Sequence, residues 1–551
     1  MLDGLESPKD LAEDAARDVV RGDFAEHDRG REDHHEGPAH PDRERETGHL
    51  GGEGEQARRS LAHGGAFDRK GRILFAAILL VAAALRLYRL DHFSYGLDEV
   101  MQAFWLRGDW EFFWEGRRTD AAHGPLDYLV GHLVERLGPR EWERKLPAVL
   151  WGLGTIGALY ALLRRRAGTR VALLAALLLS VAPFHVRFSQ ELRPYSLGLF
   201  LMCMSLLALD RYLERPDWRR LALLFAACLA TAYALYGAAL VLAIAAGALL
   251  VEDALTAEGQ RRRTARRFLA LSPLFAAAVA AAFFPWLSVP FGAFGSARAV
   301  LSEPLVLERL GRSFSFFGFA PADGHPLGWT GLLFVGLVSA GLVLAPRTPR
   351  LRFLAAWAVV GAVSIEALEQ LRPHYYNTRH FLPAGLALVA LVALALVELW
   401  RTPRRRRLAV ALLACVLLLD ARGLAGYFRE GRADWRPLAR FLRARPAGEP
   451  IFTGTQYSQL CVAFYAAGPD WLFRGGRGDR LISSLDLDAR RLTWSWQPGT
   501  TGWLVLSWDS SDTDFEKWAR MFPGVPFPTA EGAVLRRLDP ALWDRMRQTA
   551  R

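Results

Sequence analysis

The sequence predicts a mainly α-helical, polytopic membrane protein of about eleven transmembrane helices followed by a small C-terminal extracytoplasmic α/β domain. Three observations carry that reading. Long apolar blocks such as ILFAAILLVAAAL and VALLAALLLSVA recur along a chain that is 52% hydrophobic. The charges gather between the blocks, above all in the arginine clusters RRRAGTR, RRRTARR, PRTPRLR and RTPRRRR. Past the last block the apolar runs give way to a helix-like DWRPLARFLRA and short strand-like runs, GWLVLSW and GAVLRRL.

Taken in order, residues 1–70 are polar with mixed charge, the composition of a disordered tail rather than of a cleavable signal. Residues 71–423 form the membrane domain. Its first apolar run, residues 73–90, follows Arg69, Lys70 and Arg72. Short basic flanks mark the cytoplasmic side, so the N-terminus is cytoplasmic and a long loop, residues 91–145, emerges outside. LPAVLWGLGTIGALYALL returns to an arginine cluster, VALLAALLLSVAPF leads out to HVRFSQELRPY, and SLGLFLMCMSLLAL comes back. LALLFAACLATAYALYGAALVLAIAAGALL is too long for one helix and reads as two, turning outside near Tyr233 to Gly237. Four further spans place EALEQLRPHYYNTRH outside and RTPRRRR inside, and LAVALLACVLLL crosses last. Residues 424–551 are then extracytoplasmic. With this count every dense arginine cluster falls on one side.

The net charge of +11 would suit a nucleic-acid partner, but its basic clusters alternate with spans, which points to membrane lipids and not to nucleic acid. Of the four cysteines, Cys203, Cys228 and Cys415 lie in apolar runs and Cys461 stands alone, so neither a disulfide framework nor a zinc spacing is present.

The outside loops differ in chemistry. The first holds Asp98, Glu99, Asp109, Glu111, Glu115, Asp120, His123 and Asp127. The second holds His185, Arg187, Glu191, Arg193 and Tyr195, and a late one holds His374, Tyr375, Tyr376, Asn377, Arg379 and His380. Arginine forks and hydroxyls suit a phosphate, whereas a carboxylate suits the proton of an attacking hydroxyl or amine. A lipid-linked phosphosugar meets both demands at a membrane surface.

The ordered series GLDEVMQAFW, HGPLDYLVGHLVERLG, QELRPYSL, TRHFLP and DWRPLARFLRA resembles the bacterial GT-C glycosyltransferases, the group of protein O-mannosyltransferases and aminoarabinose transferases (glycosyltransferase families 39 and 83). The resemblance covers roughly residues 73–470 and implies a GT-C fold. It implies inverting transfer of a sugar from a polyprenyl-phosphate donor to a lipid, glycan or protein acceptor. Residue by residue it makes Asp98, with its neighbour Glu99, catalytic. Arg193, Tyr195, Arg379 and His380 would hold the donor phosphate; His380 stands where the family usually has tyrosine. His123, Glu191 and Tyr376 would bind substrate. Gly124 replaces the first of two prolines that the family has more often beside its histidine. No obligatory metal or other cofactor is implied, although a divalent cation is compatible with the loop. The bacterial inner membrane is the expected location.

Simpler readings stand beside these. Asp98 and Glu99 could cap a helix, since carboxylates favour helix N-termini. Arg187 and Arg193 could snorkel to headgroups, and PHYYNTRHF could be an interfacial aromatic belt. The alternative function is a transporter or flippase of lipid-linked sugars, which would need ionisable groups at mid-span and symmetric halves.

Overall fold

The computed structural model describes residues 69–119, 123–138, 140–294, 329–348, 350–371, 378–430, 434–446, 448–453, 456–468, 482–484, 502–506, 525–526 and 534–538. Nearly all of the expected disordered tail, and Tyr376 of the late loop, lie outside these residues.

Helix α1 (residues 69–87) ends near Arg89, which takes a positive φ of 54° and donates to the Phe428 carbonyl at 2.6 Å. Four helices follow before the next span: α2 (Leu97–Arg107), α3 (Trp110–Thr119), α4 (Leu126–Glu135) and α5 (Glu141–Arg144). The bundle continues with α6 (Leu146–Arg166), α7 (Thr169–Val181), α8 (Pro183–Phe188), α9 (Tyr195–Glu214), α10 (Trp218–Ala234), α11 (Tyr236–Thr256) and α12 (Gly259–Phe294). After the undescribed stretch come α13 (Trp329–Leu344), α14 (Arg352–Leu371), α15 (Leu382–Arg401) and α16 (Arg406–Glu430).

Each expected span is a helix. Seven helical segments are long and apolar enough to cross a membrane by length and composition, and the other expected spans are α1, α7, α10 and α14. The fused run breaks where expected, at Leu235, whose extended φ of −152° and ψ of 112° interrupt the helix. Pro183 opens α8 in its first turn, where the missing N–H costs no helical hydrogen bond.

Composition decides which helix sits where. Helix α15 is apolar on all sides, and 89% of its span is covered by protein, with its first sixteen residues buried. The span of α12 is somewhat less apolar and only 6% covered, as befits a helix facing lipid. Three of the four arginine clusters share one end of the bundle: Gly71 lies beside Thr169, Arg166 and Arg261 reach Asp253, and the Arg352 and Phe353 amides donate to Glu252.

Past α16 the chain forms α17 (Trp435–Arg443), α18 (Gln456–Val462) and a π turn (Ala463–Ala467). A five-stranded sheet accompanies them, built from β1 (Ile451–Thr453), β2 (Ile482–Ser484), β3 (Gly502–Leu506), β4 (Val525–Pro526) and β5 (Val534–Leu538) in the order β2-β1-β3-β5-β4. β1 runs parallel to β2 and β3, while β5 is antiparallel to β3 and β4. Asp434 caps α17, which buries Trp435, Leu438, Ala439 and Leu442 at helical spacing. These residues share a core with Tyr95, Val100 and Phe104 of the first loop, and Phe464 meets both the Tyr95 and Phe104 rings edge-on. Helix α16 runs unbroken through Gly423 and Gly426, where the sequence suggests a domain boundary, so that point of the chain is helical.

Candidate active site

The acidic pair opens α2, and the fold treats its two members differently. Glu99 is buried; its Oε2 accepts from the Gly96 amide at 3.0 Å and its Oε1 from the Leu192 amide at 2.7 Å. One carboxylate therefore caps its own helix and pins the turn before α9 to it. The Asp98 side chain keeps 35% of its surface open, and its Oδ2 accepts from Arg379 Nη1 at 2.5 Å.

Arg193 arrives from that pinned turn. Its Nη1 donates to the Asp98 carbonyl at 3.1 Å and to the Tyr128 hydroxyl at 3.3 Å. The turn is also held by Gln190, whose amide donates to the Arg86 and Tyr88 carbonyls, while its oxygen accepts from the Tyr427 hydroxyl. Arg379 sits in the single 3-10 turn (Thr378–Phe381) that leads into α15. Three segments far apart in sequence thus meet at the start of α2.

Tyr195 lies between the two guanidiniums, whose carbons are 6.0 Å (Arg193) and 5.6 Å (Arg379) from its ring centroid. Its hydroxyl is buried with no hydrogen-bond partner among the described residues. The His123 imidazole meets the same ring edge-on at 5.7 Å. Burial holds its pKa well below the ordinary value, and Arg193, Arg379, His380 and Arg117 push it further down. His123 is therefore neutral at neutral pH. The neighbouring Gly124 has no room for a side chain: a Cβ there would lie 2.0 Å from the Tyr233 carbonyl oxygen.

A family model of dolichyl-phosphate-mannose-protein mannosyltransferases matches residues 122–288, a range that includes His123, Glu191, Arg193 and Tyr195. Among solved structures, ArnT from Cupriavidus metallidurans in the apo state is 18% identical, with 85% of this chain and 98% of that chain covered at a TM-score of 0.50. The chain has the GT-C glycosyltransferase fold. The structure of ArnT bound to undecaprenyl phosphate aligns over the same shares of both chains, with the same identity and TM-score. An Archaeoglobus fulgidus oligosaccharyltransferase tethered to an acceptor peptide aligns over 74% of this chain and 63% of its own, at 13% identity and a TM-score of 0.43. No curated protein matches the chain. Fold and family match together make it a multi-pass membrane glycosyltransferase.

This GT-C glycosyltransferase brings Asp98, His123, Arg193, Tyr195, Arg379 and His380 together. Glu191 is buried nearby but pairs with Arg187 at 3.1 Å, one turn back on its own segment. Arg117 and Tyr128, not singled out in the sequence, and Asp127, named there only among the first loop's carboxylates, complete the group. The buried Arg117 guanidinium stacks 3.3 Å over the Tyr128 ring. Asp127 is buried and accepts from the Gln102 amide at 2.8 Å. Burial raises the Asp127 pKa, while the Gln102 hydrogen bond, Arg193 and Arg117 hold it down. The HGPLDY stretch carried a signal for Asp127 and Tyr128. Arg117, in a run of mixed charge, carried none. Among the described residues no group of three or more His, Cys, Asp or Glu is placed to hold a metal ion. The group offers one carboxylate open to solvent, a neutral imidazole, phenols and several guanidiniums, which suits proton removal beside an anion.

Proposed function

We propose that this GT-C glycosyltransferase moves a sugar from a polyprenyl-phosphate donor to an acceptor hydroxyl or amine, with inversion at the anomeric carbon, at the start of α2. The observation that carries this reading is the meeting of Asp98 with Arg193 and Arg379. Asp98 takes the proton of the acceptor, the freed oxygen or nitrogen attacks the anomeric carbon, and the bond to the lipid phosphate breaks with its electron pair passing to phosphate oxygen. Arg193 and Arg379, with Tyr195, stabilise that charge. Arg379 already neutralises one carboxylate and transfers its guanidinium to the donor phosphate as it arrives. Glu99 positions Asp98 and the 190–194 turn rather than exchanging protons. His123 contributes as a neutral hydrogen-bonding group. The capture of undecaprenyl phosphate by ArnT supports a polyprenyl donor here.

The arginine-rich end of the bundle is the cytoplasmic one under the positive-inside rule, so the site and the C-terminal α/β elements face outward from a bacterial inner membrane. Helix α6 separates the two ends: Lys145 at its start donates to Phe93 in the first loop, and Arg166 at its end joins the arginine-rich face. The acceptor is a lipid, a glycan or a protein, and no metal is required.

Purified protein incubated with radiolabelled polyprenyl-phosphate sugars and a membrane extract tests this. Wild-type protein is expected to pass label to an extractable acceptor, and Asp98→Asn is not. Movement of the label across a vesicle bilayer without transfer would instead support the transporter reading.

A further inference from the structure

The segment that leads into α2, residues 91–96, is neither helix nor strand, so its polar backbone groups need partners from elsewhere. The C-terminal elements grip five of its residues in succession. Arg436 Nη1 donates to the Asp91 carbonyl at 2.9 Å and to the His92 carbonyl at 3.3 Å, and Nη2 donates to the Phe93 carbonyl at 3.3 Å. The Trp435 amide donates to the Ser94 hydroxyl at 2.9 Å. The Tyr95 amide donates to the Tyr465 hydroxyl at 2.7 Å. Asp98 lies three residues further on.

The grip is itself braced. Glu141 Oε2, at the start of α5, accepts from Arg436 Nη2 at 2.7 Å and from the Tyr465 hydroxyl at 3.2 Å. The Tyr95 hydroxyl donates to the Glu141 carbonyl at 3.1 Å. The sequence of α17 accounts for the reach of Arg436. Asp434 caps the helix, Trp435 buries its ring in the core that holds Tyr95, and Arg436, next in line, faces the loop. Tyr465 sits in the π turn Ala463–Ala467, a departure from the α-helix that is frequent at functional positions.

A catalytic carboxylate must be held within about 0.5 Å of its productive place. Glu99 fixes α2 from one side, through the Leu192 amide. Arg379, a second hold on Asp98, is the group that the donor phosphate takes over in the proposed reaction. At that moment the place of Asp98 depends on its backbone. We propose that Arg436 and Tyr465 are positioning residues for Asp98: the C-terminal elements fix the segment in front of α2 and so set the reach of the carboxylate toward the acceptor. The catalytic consequence rests on the transferase reading above; the grip on residues 91–95 does not.

Two conservative variants of the full-length protein test this. Tyr465→Phe removes one hydroxyl and keeps the ring that packs on Phe464. Arg436→Lys keeps the charge but loses the fork that spans three carbonyls. With the membrane extract as acceptor source, each should lower kcat for transfer from a radiolabelled polyprenyl-phosphate sugar about 10–10²-fold, the scale of a displaced catalytic group. The donor KM should stay within about twofold of wild type. The same substitutions in Asp98→Asn protein should cost less than about twofold more, because the base through which they act is already gone. Amide hydrogen exchange read by mass spectrometry should quicken in residues 91–106 and stay unchanged in α6. Wild-type kcat in both variants overturns the proposal. So does a loss that persists undiminished in Asp98→Asn protein, the mark of a general structural defect. If wild-type protein transfers no sugar, the transferase reading falls and exchange alone decides: faster exchange in residues 91–106 upholds the grip, and unchanged exchange overturns it.

Discussion

The two ends of the bundle use the same side chains to opposite effect. At the arginine-rich end Arg166 donates to Asp253 at 3.0 and 2.7 Å and to Asp210 at 2.8 Å; Arg261 reaches both carboxylates at 2.6 Å, and Arg165 adds a bond to Asp210. Asp210, Asp253 and Arg166 are almost wholly buried. This network closes on itself and ties α6, α9, α11 and α12 together. At the other end, Asp98 meets Arg379 through one oxygen and keeps a third of its surface open, while Arg193, Arg117 and His123 crowd behind it. Deeply buried ion pairs order helices; under the proposed reading, the partly open carboxylate beside several guanidiniums is where substrate meets the protein. The difference lies in exposure, not in residue type.

Mutation of each end sharpens or breaks that contrast. Asp98→Asn is nearly isosteric at a partly open position. It should lower transfer about 10²–10⁴-fold, the usual contribution of a general base, with little change in melting temperature. Arg166→Ala should do the reverse. Removing one partner from a buried pair costs about 3–5 kcal/mol because the remaining charges are left buried. Thermal unfolding in detergent should show that loss, and any surviving folded protein should transfer sugar at a near-normal rate per molecule. If Arg166→Ala abolished transfer at an unchanged melting temperature, the division of labour between the two ends would collapse.

How far the sequence announces this can be judged residue by residue. The helices were legible because a lipid core demands long apolar runs, and the shared arginine face followed from the clusters between them. Asp98, Arg193 and Arg379 were legible as residue types in loops on one side. The separate fates of Asp98 and Glu99 were not: they depend on the Leu192 amide, 93 residues away. The stacking of Arg117 on Tyr128 has no local pattern. The domain boundary placed after residue 423 falls on a point of the chain that is helical, since α16 runs on to Glu430.

A smaller effect comes from the loop that carries His123. Gly124 is buried against the Tyr233 backbone, which cannot swing aside as a side chain would. Gly124→Ala should therefore destabilise by about 1–3 kcal/mol, the range for overpacking, and should displace His123 from the Tyr195 ring. Reduced transfer together with a lower melting temperature is expected. Full activity and stability would mean that the loop is freer than its packing implies.

The smallest expected effect is a pH dependence, and its sign follows from His123. Its folded pKa is depressed, so the unfolded chain takes up a proton that the folded chain refuses. The stability from keeping the ring neutral is complete above the ordinary histidine pKa of about 6.5, and is lost as pH falls below it at up to about 1.4 kcal/mol per pH unit. Asp127 works the other way. Its raised pKa contributes stability at low pH that disappears as pH rises. Comparing wild type with His123→Gln isolates the imidazole, because Asp127 is common to both. Melting temperatures between pH 8 and pH 5 should fall more steeply for the wild type. Parallel curves would show that His123 carries its proton inside the fold, and the site end would then hold one more cation than its geometry assigns.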